Sequence, residues 1–334
     1  MNTRDIVVIG GSAGALEPLG AMLADLPPRL PAMVFVVLHR PAYTRLELCE
    51  LLAKRSALPV KTAVDGALPP PGTVYVAPAD CHLVLRQDRV VLTRSPRENQ
   101  WRPAIDVLFR SAAVTFGARV AGVILSGALD DGTAGLSAIK RCGGVGIVQA
   151  PSDAAYPEMP ASAIRNTKVD HVVPAREIAT MIRRVVEEPA GPQNPIPPEL
   201  ILETSIAETG RTSVDMQNQW GELTPFTCTD CGGPLWKREE DGLRYRCLTG
   251  HALSSRVLEK GLGQNLDAAL WAAIRQFEQR ANLQASLADR EEKLGRRYVS
   301  SSYRERATEA RSHAIELRKL LQATVTESSE LAEA

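Results

Sequence analysis

The sequence predicts an α/β fold, in which a doubly wound, mostly parallel sheet carries helices on both faces and is joined to a small C-terminal zinc-ribbon-like and helical domain. Three observations support this fold class. Short, nearly continuous apolar runs alternate with amphipathic stretches over residues 5–188, which is typical of strands buried on both faces of a sheet. Five prolines lie within residues 189–198. A segment with the cysteine and histidine spacing of a zinc site follows them.

The strands and helices of the predicted sheet follow from this alternation. Strands are expected at residues 6–9, 34–38, 74–77, 120–125, 145–149 and 171–173. Helices are expected at residues 15–26, 44–55, 105–116, 133–142, 160–165 and 176–186. Residues 82–93 interrupt the pattern and predict an inserted hairpin, because two β-rich runs flank Gln87-Asp88-Arg89.

Length and composition exclude several classes of protein. The 334 residues suffice for more than one domain, and we predict an α/β domain at 1–188, a proline-rich linker and polar connector at 189–221, and a zinc-ribbon-like module followed by a helical hairpin at 222–334. The 39 basic and 39 acidic residues cancel without forming a basic block, so nucleic acid is not an expected partner. There is no signal peptide and no apolar run of the ~20 residues that a membrane span needs, so we expect no membrane insertion. Because six cysteines do not make a secreted disulfide scaffold in a chain of this size, we expect a cytoplasmic protein.

Residues 10–14 read Gly-Gly-Ser-Ala-Gly and lie between the first predicted strand and the first predicted helix. This G-x-S-x-G pattern is typical of a nucleophile elbow, a sharp turn that presents a serine, here Ser12, at the start of a helix. Unpaired backbone N–H groups and the helix dipole favour a developing negative charge there. A dinucleotide-binding pattern does not fit, since Ser12 and Ala15 occupy the positions of its second and third glycines. A glycine turn with an incidental serine explains this stretch equally well.

Two further predicted strands end in residue types that serine chemistry needs. The second strand is followed by His39, and the fourth by Asp130 and Asp131. Because the carboxyl ends of parallel strands meet at one edge of the sheet, these side chains are expected near Ser12. A histidine accepts the serine proton, and an aspartate fixes the histidine tautomer. Taken singly, His39 fits a structural histidine and the aspartates fit a helix N-cap and first-turn acid; the three strand ends together favour a nucleophilic site.

Several strings in this region resemble the catalytic domain of chemotaxis protein-glutamate methylesterases, and the resemblance runs from about residue 5 to residue 186. These strings are Gly10-Gly-Ser-Ala-Gly14, Leu38-His-Arg-Pro41, Tyr75-Val-Ala-Pro78 followed by His82, Arg102-Pro-Ala-Ile-Asp106, Leu125-Ser-Gly-Ala-Leu-Asp-Asp-Gly132 and Met159-Pro160. The resemblance implies a serine hydrolase that demethylates glutamate methyl esters, and deamidates glutamines, on cytoplasmic helices of chemoreceptors. The implied partner is a methylated chemoreceptor or a related signalling protein, and no cofactor is implied for catalysis.

The resemblance also implies roles for individual residues. The catalytic triad would be Ser12, His39 and Asp131. Asp131 is preferred to Asp130 because it directly precedes Gly132, as in the family pattern. The oxyanion would be bound by the backbone N–H groups of Ala13 and Ala128. The family commonly has threonine and methionine at these two positions, so we expect the difference to affect substrate fit rather than the backbone N–H groups.

Other residues in these strings keep more than one interpretation. Arg102 and Asp106 are expected either to form an ion pair that holds a loop against a helix or to contact substrate, and His82 is expected to be structural. A serine esterase for a non-receptor ester and a non-catalytic signalling scaffold are the alternatives to the methylesterase. The family usually has a phosphorylatable receiver domain ahead of the esterase domain. Only four residues precede Asp5 here, so we expect no phosphorylation control within this chain.

The C-terminal third contains a candidate metal site. Cys228-Thr-Asp-Cys231 is followed, after fifteen residues, by Cys247-Leu-Thr-Gly-His251. Three thiolates and one imidazole complete a tetrahedral zinc shell with no open position, which predicts a structural ion. Strands are expected at residues 235–238 and 243–246, around an Asp241-Gly242 turn, as in a zinc ribbon. A redox C-x-x-C pair would not account for Cys247 and His251, and unpaired structural cysteines are the remaining alternative.

The chain after the predicted ribbon is helical. Apolar residues recur with a helical period over residues 266–281 and 310–321, and the segment 295–302 between them predicts an antiparallel helical hairpin. Packing on the ribbon is its default role, with docking to a receptor or partner helix and dimerisation as alternatives. A further hypothesis is that this C-terminal region gates the strand-end cleft in place of a receiver domain.

Overall fold

The structure is a computed structural model that describes residues 3–41, 48–239 and 243–333, with side chains described as far as residue 322. The strands are β1 (Ile6–Gly11), β2 (Met33–Leu38), β3 (Val60–Thr62), β4 (Val74–Val76), β5 (His82–Leu85), β6 (Val90–Thr93), β7 (Val120–Ile124), β8 (Val145–Gln149), β9 (His171–Val173), β10 (Glu222–Thr227), β11 (Pro234–Arg238), β12 (Arg244–Cys247) and β13 (Ala252–Ser254). The helices are α1 (Leu16–Asp25), α2 (Leu48–Ala53), α3 (Ile105–Phe116), α4 (Thr133–Arg141), α5 (Glu158–Asn166), α6 (Ala175–Glu187), α7 (Pro198–Thr209), α8 (Val214–Trp220), α9 (Ser255–Lys293) and α10 (Arg297–Glu333).

The main sheet is parallel and has the order β3-β4-β2-β1-β7-β8-β9 among the described residues. Its central strands are almost continuously apolar because helices cover both faces. Alternate residues of β1 show this directly. Ile6 and Val8 belong to the core that includes α3, α4 and α5, whereas Val7 and Ile9 belong to the core that includes α1, α2 and α6. The structure confirms the predicted doubly wound α/β fold, and the strand order reverses between β1 and β7.

The predicted elements of the sheet differ from the observed ones mainly at their ends. The inserted hairpin is confirmed as β5 paired antiparallel with β6. Of the helix predicted at residues 44–55, α2 covers the second part, and residues 44–47 lie outside the described residues. The edge strand β3 was not predicted, because it is three residues long and its Lys61 and Thr62 are exposed, so it carries no apolar run.

The segment predicted as a polar connector contains the two helices α7 and α8. Leu200 and Ile206 of α7 are buried, as is Ala207, which packs with Val84 of the hairpin and Val107 of α3. The connector is therefore part of the core around the sheet rather than a solvated tether.

The predicted ribbon strands are present as β11 and β12, within an antiparallel sheet of order β10-β11-β12-β13. The predicted turn at Asp241-Gly242 lies outside the described residues. Leu235, Tyr245 and Leu253 form the core of this small sheet together with Cys228 and Cys247. We refer to residues 222–254 as the ribbon.

Five charged side chains connect the ribbon to α3, α7 and the loop before α3. This buried ionic cluster consists of Glu98, Arg110, Glu203, Arg244 and Arg246. Arg110 donates to Glu98 at 2.7 Å, and Arg246 Nη2 lies 3.0 Å from Glu98 and 3.2 Å from Glu203. Because each carboxylate contacts more than one guanidinium, both charges are compensated within the protein. Residues Met1–Leu258 accordingly form one compact unit, while the predicted three-part division of the chain stays a prediction.

The second compact unit, Glu259–Ala334, contains most of α9 and all of α10. The two helices contact each other through an ion pair between Glu278 and Arg318 and through the rings of Phe277 and His313, whose centroids are 5.3 Å apart. These contacts fit the predicted helical hairpin. Among the described helices, none has a stretch apolar enough to span a bilayer.

Candidate active site

Ser12 lies at a sharp turn between β1 and α1. Its backbone N–H donates to the carbonyl of Ser126, which follows β7, and its own carbonyl accepts from the N–H of Ala15. Gly14 has a φ of +72°, a conformation that favours glycine, and a side chain there would collide with Ala155 and with the Ser126 hydroxyl. The local geometry is that of the predicted elbow, with the serine placed at the carboxyl end of the central strand.

His39 and Asp131 are brought to Ser12 from two other strands. Ser12 Oγ lies 3.1 Å from His39 Nδ1, and His39 Nε2 lies 2.7 Å from Asp131 Oδ2. Since an ionised carboxylate only accepts hydrogen bonds, Nε2 carries the proton and Nδ1 is the free base that faces the serine hydroxyl. The three side chains are thus arranged for proton transfer from Ser12 to His39.

Asp131 is held as a carboxylate by four donors. Oδ2 accepts from His39 and from the backbone N–H of Ile105 at 2.7 Å, while Oδ1 accepts from the Asn99 side chain at 3.0 Å and from the N–H of Asp106 at 3.3 Å. Burial alone would raise the pKa of Asp131, but the hydrogen bond and charge of His39, with the other donors, lower the pKa below its usual value. The position at the N-terminus of α3 also favours its negative charge.

The neighbouring Asp130 does not reach His39. Its carboxylate accepts from the Ser254 hydroxyl at 2.7 Å, and its carbonyl accepts from Thr133 N–H at the start of α4. Burial raises the pKa of Asp130. The geometry therefore supports Asp131, rather than Asp130, as the partner of the histidine.

Ala13 and Ala128 lie on the two loops that flank the serine, and both residues are exposed. In the part of the chain that the structure describes, neither backbone N–H has a hydrogen-bond partner. The loop that carries Ala128 lies close to Met159 and Ser12. A Cβ added at Gly127 of this loop would lie 2.0 Å from Met159 Sδ and 2.9 Å from the Ser12 Cβ. Unpaired N–H groups at these two positions are what the predicted oxyanion role requires.

Two residues that contact the triad, Trp101 and Asn99, are not predicted from the sequence. The indole of Trp101 stacks on the His39 imidazole, with ring centroids 4.5 Å apart and planes at 11°. Asn99 has a φ of +51° and directs its amide toward Asp131. Both lie within three residues of Arg102, at the start of the Arg102–Asp106 string, but only the path of the loop brings them to the site.

The structure gives Arg102, Asp106 and His82 contacts within the protein. Arg102 pairs with Asp80 at 2.6 Å and donates to two loop carbonyls, so the alternative of an Arg102–Asp106 ion pair is wrong. Asp106 accepts from Gly135 N–H at 2.6 Å, which ties α3 to α4. His82 is fully buried between two backbone groups, and burial lowers its pKa to about 4, as befits the predicted structural role.

The four predicted metal ligands are also brought together. One ligand atom each from Cys228, Cys231, Cys247 and His251 lies within 4.8 Å of all the others. Three sulfur atoms and one imidazole nitrogen form a donor set that suits a tetrahedral zinc ion. The four ligands all come from the protein, so this cluster fits a structural metal and is distinct from the serine site.

Comparison with known proteins agrees with the geometry of the serine site. Residues 7–182 match the family described as CheB methylesterase. The crystal structure of the CheB methylesterase catalytic domain of Thermotoga maritima superposes with a TM-score of 0.53 at 35% identity, covering 55% of this chain and all of that one.

Curated relatives give the same result. A protein-glutamate methylesterase/protein-glutamine glutaminase of Methanosarcina acetivorans is 36% identical over 191 residues, which cover 55% of this chain and 54% of the relative. A putative enzyme of the same name from Leptospira interrogans is 36% identical over 182 residues, which cover 54% of this chain and 94% of the relative. The chain spans about half the length of most of the curated relatives it matches.

Proposed function

Because this chain belongs to the CheB methylesterase family, we propose that it hydrolyses glutamate methyl esters on cytoplasmic helices of chemoreceptors, with Ser12 as the nucleophile. The observation that carries the proposal is the continuous chain of contacts from Ser12 Oγ through His39 to Asp131, with distances of 3.1 and 2.7 Å. It lies at the carboxyl ends of β1 and β2 and beside the point where the strand order reverses. A chemoreceptor substrate places the reaction in the cytoplasm.

The acylation step follows from the positions of the three side chains. Ser12 Oγ attacks the ester carbonyl while His39 Nδ1 takes the hydroxyl proton, and Asp131 stabilises the imidazolium that results. The carbonyl oxygen becomes an oxyanion, which the N–H groups of Ala13 and Ala128 bind. When the tetrahedral intermediate collapses, the methoxy oxygen takes the proton from His39 and leaves as methanol. Ser12 then carries the glutamyl group as an ester.

Deacylation repeats the sequence with water. His39 Nδ1 takes a proton from a water molecule, whose oxygen attacks the acyl carbon in the same oxyanion site. Collapse returns the proton from His39 to Ser12 Oγ and releases the receptor glutamate. A glutamine side chain fits the same scheme, with ammonia as the leaving group in place of methanol.

We also propose a zinc ion on Cys228, Cys231, Cys247 and His251. The donor set supports it, and a closed set of four protein ligands supports a role in holding β11, β12 and the two cysteine turns together. The mechanism above involves no step at this ion.

Methanol release tests the proposed reaction. The protein is incubated with receptor that has been methylated with a labelled methyl group, and volatile label is measured over time, with Ser12→Ala as the matched variant. We expect release by the wild-type protein and a loss of several powers of ten in the variant. Absence of release by the wild type, or equal release by both proteins, contradicts the proposal.

Two further measurements separate the alternatives. A fluorophosphonate probe labels an activated serine whatever the natural substrate is, and simple p-nitrophenyl esters report a general esterase. Labelling of Ser12 without methanol release indicates a non-receptor ester as substrate. Absence of labelling, together with no methanol release, indicates a scaffold of the same fold.

A further inference from the structure

We infer that the ribbon is a working part of the serine site, because its strand β13 orients Asn99, and Asn99 in turn positions Asp131. The inference rests on the proposed function for the role of Asp131. It assigns Asn99 as a positioning residue, and it gives the C-terminal ribbon a supporting rather than an inhibitory effect on the chemistry.

Asn99 contacts the carboxylates of both Asp131 and Asp106. Its amide Nδ2 lies 3.0 Å from Asp131 Oδ1 and 3.0 Å from Asp106 Oδ2, so one hydrogen of the NH2 group points to each. Asn99 is buried, as are both carboxylates. In such surroundings the amide separates two acidic groups that would otherwise face each other, and it fixes Oδ1 so that Oδ2 stays directed at His39.

The ribbon in turn fixes the orientation of the Asn99 side chain. An amide can rotate by half a turn and exchange its oxygen and nitrogen. Here Asn99 Oδ1 accepts from the backbone N–H of Ser254 at 3.0 Å, and the backbone N–H of Asn99 donates to the carbonyl of Ala252 at 2.7 Å. Both partners belong to β13. The ribbon strand therefore determines which end of the amide faces Asp131.

The strand that provides these contacts is itself held by its neighbour in the ribbon. β13 pairs with β12, whose Arg246 is anchored in the buried ionic cluster by Glu98 and Glu203. Glu98 immediately precedes Asn99 in the chain. The ribbon consequently holds both the side chain of Asn99 and the backbone from which it projects.

A pair of substitutions at Asn99 tests the positioning role. Asn99→Gly suits the positive φ and removes the side chain, whereas Asn99→Asp keeps the shape and removes both donors. The rate of Ser12 labelling by a fluorophosphonate probe is measured against pH, since this readout does not depend on the identity of the natural substrate. A failure of the receptor assay alone would leave it unaffected.

We expect both variants to label about 10- to 100-fold more slowly, and the acidic limb of the pH profile to move toward neutral pH. The limb moves because Asp131 loses a donor that stabilises its charge, and the resulting stronger base holds the His39 proton more tightly. Loss of packing alone would slow labelling without moving the limb. Rates within about threefold of wild type, or a slower rate with an unmoved limb, would overturn the positioning role.

The link to the ribbon is tested at Ser254. Ser254→Pro removes the N–H that Asn99 accepts from, and Ser254→Ala keeps that N–H as the matched control. We expect the proline variant to label about tenfold more slowly, the alanine variant to label like wild type, and the proline effect to disappear when Asn99 is already glycine. A proline effect of equal size in both backgrounds would overturn the link.

Hydrogen exchange provides a second measurement that does not require the proline variant to fold. The Ser254 amide proton is bonded to the Asn99 side chain, so its exchange should accelerate in Asn99→Gly relative to other amides of the ribbon. Unchanged exchange of the Ser254 amide would refute the contact on which the inference rests.

Discussion

Replacing Asp131 with asparagine is the sharpest test of the proposed triad, because the side chain keeps its shape while it loses its charge and one acceptor. Four N–H groups donate hydrogen bonds to the two carboxylate oxygens of Asp131. The NH2 group of Asp131→Asn must therefore face two donors, whichever way the amide is turned. When this NH2 group faces His39 and Ile105, His39 has to carry its proton on Nδ1, so that Nε2 can accept a hydrogen bond from the NH2 group. No base is then left opposite Ser12.

The size of the effect follows from the same contacts. A hydrogen bond to a charged group contributes about 1.5–3 kcal/mol. The His39–Asp131 bond, at 2.7 Å, joins two opposite charges once His39 has taken the serine proton. The wrong tautomer adds to this loss, and the corresponding substitution in a serine protease lowers kcat by about 10⁴. We expect kcat to fall by a factor of about 10³–10⁴, equivalent to about 4–5.5 kcal/mol in the barrier.

The assay is methanol release from methylated receptor under saturating substrate, with KM determined separately. Asp130→Asn is the matched control, since Asp130 contacts Ser254 and not His39, and asparagine keeps an acceptor oxygen for that hydroxyl. We expect the control to stay within about threefold of the wild type. The reasoning is refuted if Asp131→Asn retains more than a tenth of kcat, or if both variants lose activity equally while folded by circular dichroism.

Three further predictions address the stacking, the metal and the buried charges. Trp101→Ala should lower kcat/KM about 3- to 10-fold, because stacking on His39 contributes about 0.5–1.5 kcal/mol. Trp101→Phe should retain most of the activity, and an equal loss of kcat/KM in both variants would contradict the role of stacking. Metal analysis should find about one zinc per chain in the wild type and none in Cys228→Ser, and a metal-free wild type would refute the site. Burial would raise the pKa of Glu98, but Arg110 and a second buried arginine outweigh it and lower the pKa to about 2. The free energy of unfolding, measured with urea, should therefore fall as pH drops from about 4.5 toward 2, and this group should account for on the order of 3 kcal/mol of the fall. The Glu98→Gln variant should be less stable than the wild type at neutral pH, and its free energy of unfolding should decline less steeply with falling pH. An equally steep decline in the variant would count against Glu98 as the source.

The sheet and the serine site could be predicted because their signals are local. A strand buried on both faces produces an apolar run, and its carboxyl end is where Ser12, His39 and Asp131 follow in sequence. The choice of Asp131 over Asp130 came from the family resemblance. Periodicity alone says nothing about which of two adjacent aspartates turns toward the histidine.

The rest depends on contacts between residues far apart in the chain. Trp101 and Asn99 belong to a loop whose course no propensity describes, and they reach the site only because that loop crosses it. The sequence predicts that Glu203 lies in a polar connector, and a glutamate is normally exposed. Its partners Arg110 and Arg246 lie in α3 and in the ribbon, so its burial is decided by tertiary structure.

The buried ionic cluster has a consequence for where this protein can be cut. The family match ends at residue 182, before Glu203 and Arg246, so a fragment trimmed to the matched region would keep Glu98 and Arg110 but lose their other partners. It would also uncover the amide of Asn99. The region that matches the family and the compact unit Met1–Leu258 therefore have different boundaries in this chain. We expect the catalytic region to require the ribbon for its stability, so that the ribbon cannot be exchanged or removed without loss.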